Sequence, residues 1–246
     1  MHNLLFAVFI LLYDPANATS NQWQQVPLRT QAQKTAGLAG GEGMQQIWAI
    51  AYAPSNTHTV YLITDTAGVV KSTDGGAIWQ HKHIGFRANG GYSIAVDPNN
   101  ENIVLAYSNN MSSVDAWGSV KGVYRTTDGG DTWALVRAAT TGYNPLQGAR
   151  GGRNIVFVDS NTVYAGSQNE GLFKSINGGA TWFQVNLSEL NGDTIYDIRV
   201  HPDNPAILFV VSYTDNKLYR VTSDTAVVQI GVGLTQSPVS MAIVGN

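Results

Sequence analysis

The sequence lacks cysteine altogether, has few charged residues and shows no excess of basic charge. Of its 246 residues 13% are charged, and the formal net charge at pH 7 is −3. The absence of cysteine excludes a disulfide framework, a thiolate metal site and a cysteine nucleophile. A chain without a basic surface cannot neutralise phosphates, so we expect no nucleic-acid partner. His81 and His83 lack a third ligand nearby in sequence, and we therefore expect neither a metal site nor a cofactor.

Glycine and apolar residues, by contrast, are plentiful. The chain has 26 glycines, and 43% of its residues are hydrophobic. Low charge combined with high glycine content favours short strands and many turns over surface helices. Disorder requires low hydrophobicity and high net charge, and this chain has neither.

The N-terminus carries an apolar run from Leu4 to Tyr13 that is too short to span a bilayer. Ala16 and Ala18 place small residues where a signal peptidase reads them. This pattern predicts a signal peptide at residues 1–18, cleavage after Ala18, and a secreted or periplasmic mature chain at residues 19–246. The alternative is a buried first strand, against which the Asp14-Pro15 break argues. No later run is long and apolar enough to predict a membrane span.

A twelve-residue pattern occurs three times at intervals of about fifty residues, a period typical of propellers and solenoids. The copies are Gly68–Trp79, Gly122–Trp133 and Gly171–Trp182. They share a basic residue, a hydroxyl residue, an Asp or Asn, two glycines and a final Trp. A fourth copy near Lys217–Asp224 has lost the glycines and the Trp.

Two β-rich runs precede each copy, and the copy itself supplies a third strand, a turn and the start of a fourth. Four short antiparallel strands per repeat predict an all-β fold, a β-propeller whose blades bury their faces against one another. The predicted blades span residues 44–85, 91–138, 153–187 and 195–232. Single strands at 22–28 and 239–245 predict an incomplete ring.

We expect the repeated polar residues to be structural. A side chain before two glycines can accept backbone N–H groups across the turn, while the glycines adopt positive φ. Identical sites on every blade suit a scaffold better than one reaction centre. The residues are Ser72, Asp74, Gly76, Trp79, Thr126, Asp128, Gly130, Trp133, Ser175, Asn177, Gly179 and Trp182.

The repeated box resembles the Asp-box, or BNR, repeat of sialidases, sortilin-type receptors, photosystem-assembly factors and family 74 glycoside hydrolases, the xyloglucanases. The sialidase signature and arginine triad are not evident. The likeness to family 74 is more detailed, at Gly40–Met44, Val60–Lys71, Gly148–Arg153 and Asn169–Ser175. It implies a propeller that binds or hydrolyses a polysaccharide or oligosaccharide such as β-glucan or xyloglucan.

The family 74 resemblance also assigns a role to Asp65, which matches the general base of an inverting hydrolysis. The family's general acid comes from a second propeller, which this chain does not contain and which is a possible further partner. Ile63 and Ala67 depart from the family's Arg and Gly. The alternative is that Asp65 is a turn residue between two strands.

Two insertions carry the remaining candidate ligand residues. In the first, Trp117 can stack on a sugar ring while neighbouring amides and a carboxylate bind its hydroxyls, or it can simply close a long loop. The second, from Thr140 to Arg153, lines a cleft or forms a flexible connection. The candidate substrate-binding residues are Asn109, Asn110, Asp115, Trp117, Tyr143, Arg150 and Arg153.

Two functions of different class are therefore open. One is a secreted propeller that binds or cleaves a polysaccharide. The other is a non-catalytic Asp-box propeller used for protein interaction or assembly.

Overall fold

The computed structural model of the chain describes residues 46–88, 90–108, 121–139, 154–214 and 216–231, together with residues 9–10, 24–25, 35 and 241. Within these ranges the chain forms strands β1 to β18. Sixteen of them, β3 to β18, build four sheets of four antiparallel strands, and neighbouring strands within each sheet are consecutive in sequence. The predicted all-β fold of four-stranded antiparallel blades is confirmed.

The four sheets are numbered here as blades 1 to 4 in chain order. Blade 1 consists of β3 (Ile47–Ala53), β4 (Asn56–Thr64), β5 (Val69–Ser72) and β6 (Gln80–His81). Blade 2 consists of β7 (Gly91–Asp97), β8 (Asn100–Ser108), β9 (Gly122–Thr126) and β10 (Ala134–Ala138). Blade 3 consists of β11 (Ile155–Phe157), β12 (Val163–Ser167), β13 (Gly171–Ser175) and β14 (Phe183–Gln184). Blade 4 consists of β15 (Ile195–His201), β16 (Asn204–Ser212), β17 (Lys217–Ser223) and β18 (Ala226–Gln229).

Two short strands lie outside the blades. β1 (Phe9–Ile10) pairs antiparallel with β2 (Gln24–Gln25). The first falls within the predicted signal peptide and the second within the predicted partial strand at 22–28. Of the predicted partial strand at 239–245, the structure describes Met241.

Tight turns join the first and second strands of three blades. In the strand pairing, Ala53 is opposite Asn56, Asp97 is opposite Asn100, and His201 is opposite Asn204. Each pair brackets a two-residue loop whose first residue is proline. Proline suits this position because its ring presets the φ angle of the first central residue of a turn.

The second strand of blade 2 is an apolar run because both of its faces are covered. In β8, Val104 and Ala106 pack in the core shared with blade 1, whereas Leu105 and Tyr107 pack in the core shared with blade 3. All four are fully buried. A run of this kind, rather than an alternation of apolar and polar residues, is typical of a strand enclosed on both sides.

Neighbouring blades also approach closely through their inner strands. Trp48 of blade 1 stacks on Tyr92 of blade 2, with ring centroids 5.7 Å apart. Between blades 3 and 4 the backbone of Gly166 faces Ile195, and a Cβ on Gly166 would lie 2.5 Å from the Ile195 Cβ. Glycine is therefore required here because any side chain would force these two blades apart.

Candidate functional site

The four blades present two faces. The turns between third and fourth strands, which carry the repeated boxes, bond to the beginning of the second strand of the same blade or to the residues just before it. The Gly75 N–H donates to the His58 carbonyl at 2.8 Å, and Gly129 and Gly178 make the same bond in blades 2 and 3. We call this side the box face. Because antiparallel strands reverse direction, the links from second to third strands and from one blade to the next lie on the opposite side, here called the loop face.

The box of blade 1 is a closed set of hydrogen bonds. The Ser72 hydroxyl donates to the Asp74 carboxylate at 2.7 Å and accepts the Gly76 N–H at 2.8 Å. Asp74 in turn accepts the Ile78 N–H at 2.9 Å. The two glycines have φ angles of 72° and 100°, in the region that favours glycine.

Blades 2 and 3 repeat this geometry. The hydroxyl residue and the acid or amide are 2.6 Å apart in blade 2 (Thr126 and Asp128) and 3.0 Å apart in blade 3 (Ser175 and Asn177). Both hydroxyls accept the N–H of the second glycine, at 2.9 and 2.8 Å. Asn177 occupies its position with an amide oxygen that accepts the Thr181 N–H at 2.9 Å, so a negative charge is not required.

The hydrogen bonds of the box lower the pKa of its carboxylates. Partial burial raises the pKa of Asp128, but hydrogen bonds from Thr126 and Thr132 outweigh it and hold the pKa at about 2. The pKa of Asp74 is also lowered, since bonds from Ile78 and Ser72 exceed the effect of burial. Both groups are thus ionised at neutral pH and occupied within their own turns.

The tryptophans that end the boxes cover the blades. Trp79 and Trp133 are almost fully buried. The Trp133 indole N–H donates to the Lys82 carbonyl of blade 1 at 2.9 Å, and that of Trp182 to the Gly179 carbonyl at 3.0 Å. The Trp133 bond joins two blades, the Trp182 bond closes its own turn, and burial makes the rings of Trp79 and Trp133 unavailable to a ligand.

Asp65 lies on the loop face directly after β4, and its exposed fraction is 2%. Its Oδ1 accepts the Gln46 N–H at 3.1 Å and the Thr66 hydroxyl at 3.3 Å. Its own N–H donates to the Gln46 carbonyl at 3.1 Å. These bonds close the link between β4 and β5 onto the start of β3. The catalytic role of Asp65 stays a prediction.

The other candidate ligand residues lie outside the described part of the chain. They are Asn109, Asn110, Asp115, Trp117, Tyr143, Arg150 and Arg153. The structure does describe the residues that flank the two insertions. The Gly122 N–H donates to the Ser108 hydroxyl at 2.8 Å, and the Ala139 N–H donates to the Lys121 carbonyl at 2.8 Å. The end of the first insertion and the beginning of the second are therefore neighbours on the loop face.

A polar network between blades 2 and 3 was not found from the sequence. Arg137 pairs with Glu170 at 2.7 Å, and both side chains are largely buried. The Ser167 hydroxyl lies 2.5 Å from the same Glu170 oxygen and 2.7 Å from the Tyr107 hydroxyl. The guanidinium also lies over the Phe173 ring, 3.4 Å from its centroid. Arg137 interrupts the apolar residues of β10 and is the signal in the sequence that could have revealed the network.

A second feature that the sequence reading missed is a buried hydroxyl at the end of each second strand. The residues are Thr64, Ser108, Ser167 and Ser212, and none is measurably exposed. In blade 1 this hydroxyl accepts the Ala67 N–H at 2.9 Å, and in blade 4 it donates to Asp193. A hydroxyl residue at the same position after each apolar run is a signal that can be detected in the sequence. These hydroxyls fix the start of each link on the loop face.

Two kinds of feature, a metal-ligand cluster and a membrane-spanning helix, are not found among the described residues. No group of three or more His, Asp or Glu side chains is placed there to hold a metal ion. The His81 and His83 rings lie edge to face, 5.9 Å apart. Among the same residues no helix has the length and apolarity needed to cross a bilayer.

The repeated boxes and four-stranded blades define the chain as an Asp-box β-propeller. A family model described as sortilin, neurotensin receptor 3, of the sortilin-Vps10 type, matches residues 30–150. No curated protein matches the chain by sequence.

Several solved propellers share the fold. An ancestral GH74 enzyme superposes with a TM-score of 0.56 at 21% identity over 73% of this chain and 23% of its own length. The GH74 enzyme of Niastella koreensis gives 0.54 at 22% identity, covering 76% of this chain and 30% of that one. YCF48 from Cyanidioschyzon merolae gives 0.57 at 12% identity, covering 90% and 63%. A YCF48 structure bound to a D1 peptide gives 0.51 at 14% identity, covering 76% and 54%.

These identities establish the fold and no more. The chain spans less than a third of the length of either GH74 enzyme. The activities and partners of those proteins are therefore properties of longer chains.

Proposed function

We propose that the chain is a carbohydrate-binding Asp-box propeller that holds a β-glucan or xyloglucan chain on its loop face. The observation that carries this proposal is the bond between Lys121 and Ala139, which brings together the ends of the two insertions. These insertions contain the aromatic, amide and basic residues suited to sugar rings and their hydroxyls. The GH74 neighbours support this ligand class.

Binding is favoured over hydrolysis by the state of the carboxylates. Inverting hydrolysis needs one carboxylate to activate water and another to protonate the leaving group across the scissile bond. Asp65 is 2% exposed and bonded to Gln46 and Thr66. On the same face, Glu170 is engaged by Arg137 and Asp193 by Ser212. These groups are occupied in holding the links between strands.

Calorimetric titration with xyloglucan oligosaccharides and mixed-linkage β-glucan tests the proposal. We expect Trp117→Ala to weaken binding at least about fivefold, since stacking on one aromatic ring contributes about 1–3 kcal/mol. Phe183→Ala is the matched control, because Phe183 is 43% exposed on an outer strand of blade 3 and should leave affinity unchanged.

Asp65→Asn separates binding from cleavage in the same assay. We expect affinity within about twofold of the unaltered chain and no release of reducing sugar from either protein. Reducing sugar released by the unaltered chain and lost in Asp65→Asn would establish hydrolysis with Asp65 as the base. Absence of binding to every glucan by a folded chain would reject the carbohydrate ligand.

Polypeptide binding on the same loop face is the second candidate. The match to the sortilin, neurotensin receptor 3 family and the likeness to a propeller bound to a D1 peptide favour it. A photo-reactive phenylalanine at position 117 would then cross-link a protein partner, whereas the same group at position 183 would not. Equal cross-linking at both positions would contradict a specific polypeptide site.

A further inference from the structure

A propeller blade has one face toward the preceding blade and one face toward the position of the next blade. On the second strand of blade 4, Leu208 and Val210 pack in the core shared with blade 3. Phe209 must therefore point to the opposite side, since successive strand residues alternate between faces. Strand pairing places Arg220 directly opposite Phe209.

Four residues on this opposite side are more exposed than their counterparts in the earlier blades. We call them the blade-4 face: Phe209, Leu218, Arg220 and Ile230. Phe209 and Leu218 are partly exposed, although the residues at their register positions in blades 1 to 3 are buried. Ile230 is 40% exposed, whereas Val185, which makes the equivalent backbone bond in blade 3, is 1% exposed.

The position of Arg220 has a defined task in the earlier blades. Its counterparts are Lys71, Arg125 and Lys174, each opposite the residue equivalent to Phe209. Arg125 donates through Nε to the Gly178 carbonyl in the box of blade 3 at 2.9 Å. Lys174 bonds to the Asp224 carboxylate of blade 4 at 2.7 Å.

Lys71 follows the same rule at the first interface. Its Nζ lies 2.5 Å from the position that a Cβ would take on Gly129, in the box of blade 2. At all three interfaces, then, the cation of one blade meets the corresponding turn of the next. Arg220 is the fourth member of the series, and it is exposed.

Met241 already occupies the inner end of the same side. The Met241 N–H donates to the Asp197 carboxylate at 2.8 Å. Met241 also packs on the cluster that contains Tyr196, Val211 and Leu218. The contact lies beside the innermost strand of blade 4, where the first strand of a following blade would begin.

We propose that the blade-4 face binds the outer strands of a further Asp-box blade. The second glycine of its box would pack on Phe209, as Gly179 packs on Leu105 at the preceding interface, where a Cβ on the glycine would lie 2.6 Å from a leucine methyl. A backbone carbonyl or carboxylate of the same turn would accept from Arg220. The three existing interfaces supply both the apolar match and the charge match.

A labelled peptide of residues 161–187, which contains the outer three strands and the box of blade 3, is the probe. We expect saturable binding to the full chain by fluorescence anisotropy. Arg220→Glu should weaken it at least tenfold, while Arg220→Lys should stay within about threefold because lysine serves at two of the three existing interfaces. Arg87→Glu reverses an exposed charge at a residue outside the blade-4 face and should have no effect. Circular dichroism confirms that each variant is folded.

Three results would overturn the proposal. The first is a lack of saturable binding by the unaltered chain. The second is binding that Arg220→Glu leaves unchanged or that a scrambled peptide reproduces. The third is a dimer in sedimentation velocity that excludes the peptide and dissociates in Arg220→Glu, because the occupant would then be a second copy of this chain.

Discussion

Asp128 and Asn177 occupy the same position in two boxes with different charge. Both side-chain oxygens accept the N–H of the threonine four residues later, at 2.9 Å. The two turns therefore depend on an acceptor oxygen, and the charge adds a dependence on pH. The depressed pKa of Asp128 is the consequence of hydrogen bonds that favour its ionised form.

Asp128→Asn should make stability less sensitive to acid. The pKa of Asp128 is about 2 in the folded chain against an ordinary value of 3.8, so its charged form stabilises the fold above pH 3.8 and this contribution is lost as pH falls through 2. Urea unfolding should show a smaller loss of stability between pH 4 and pH 2 in the variant, by about 1 kcal/mol at most, since the group is largely exposed.

At pH 7 the same variant should lie within about 1 kcal/mol of the unaltered chain, because an amide already serves in blade 3. Asp203→Asn, at an exposed residue outside the boxes, is the control. An acid sensitivity that is identical in all three proteins would contradict the assignment.

At the scale of elements, the packing contact between blades 2 and 3 includes a largely buried ion pair. Arg137 and Glu170 have side-chain exposures of 8% and 15%, and Ser167 and Tyr107 complete their hydrogen bonds. Burial raises the pKa of the Tyr107 hydroxyl, which keeps it protonated. A buried pair is costly to break, because the remaining charge has no partner and no water.

Glu170→Gln should destabilise the chain by about 3 kcal/mol or more, because it leaves the Arg137 charge uncompensated. The double variant Arg137→Met with Glu170→Gln should be more stable than Glu170→Gln alone, since it removes both charges. Urea unfolding of the unaltered chain, of Arg137→Met, of Glu170→Gln and of the double variant gives the coupling free energy.

Lys82 and Asp131 form an exposed pair between blades 1 and 2, with side-chain exposures of 20% and 65%. Asp131→Asn should therefore change stability by less than about 1 kcal/mol.

Additive effects of the two substitutions at Arg137 and Glu170 would show that their pair does not couple the blades.

At the scale of the whole molecule, the Asp-box blades form a scaffold with two unlike sides. On the box face, repeated turns satisfy their own polar groups. On the loop face the links between strands differ in length. The bond between Lys121 and Ala139 brings together the ends of the two insertions that contain the candidate ligand residues. Variation confined to links on one side of a rigid array is typical of binding proteins.

Export of the chain is also a prediction about the whole molecule. If residues 1–18 act as a signal peptide, the exported protein should begin at Thr19. Intact-mass measurement and N-terminal sequencing of the chain expressed with its own leader in a bacterial host should show this. Retention of Met1 would contradict export. It would favour the alternative of a buried first strand, in which Phe9–Ile10 pairs with Gln24–Gln25.

The blades and the chemistry of their turns follow from the amino-acid sequence. Repetition places a hydroxyl, an acid or amide and two glycines at fixed spacing, and each requirement is local, because the hydrogen bonds join residues at most four positions apart. The second strands can also be recognised in the sequence, because an apolar run indicates such a strand without knowledge of the residues that pack against it.

The contacts between blades, by contrast, depend on how the blades pack in three dimensions. The pairing of Arg137 with Glu170 and the meeting of Lys71, Arg125 and Lys174 with the next blade join residues from 33 to 58 positions apart. No periodic pattern specifies such contacts. They arise because blade packing sets the distances between side chains, and those distances determine whether a carboxylate is free for chemistry or engaged in holding the fold.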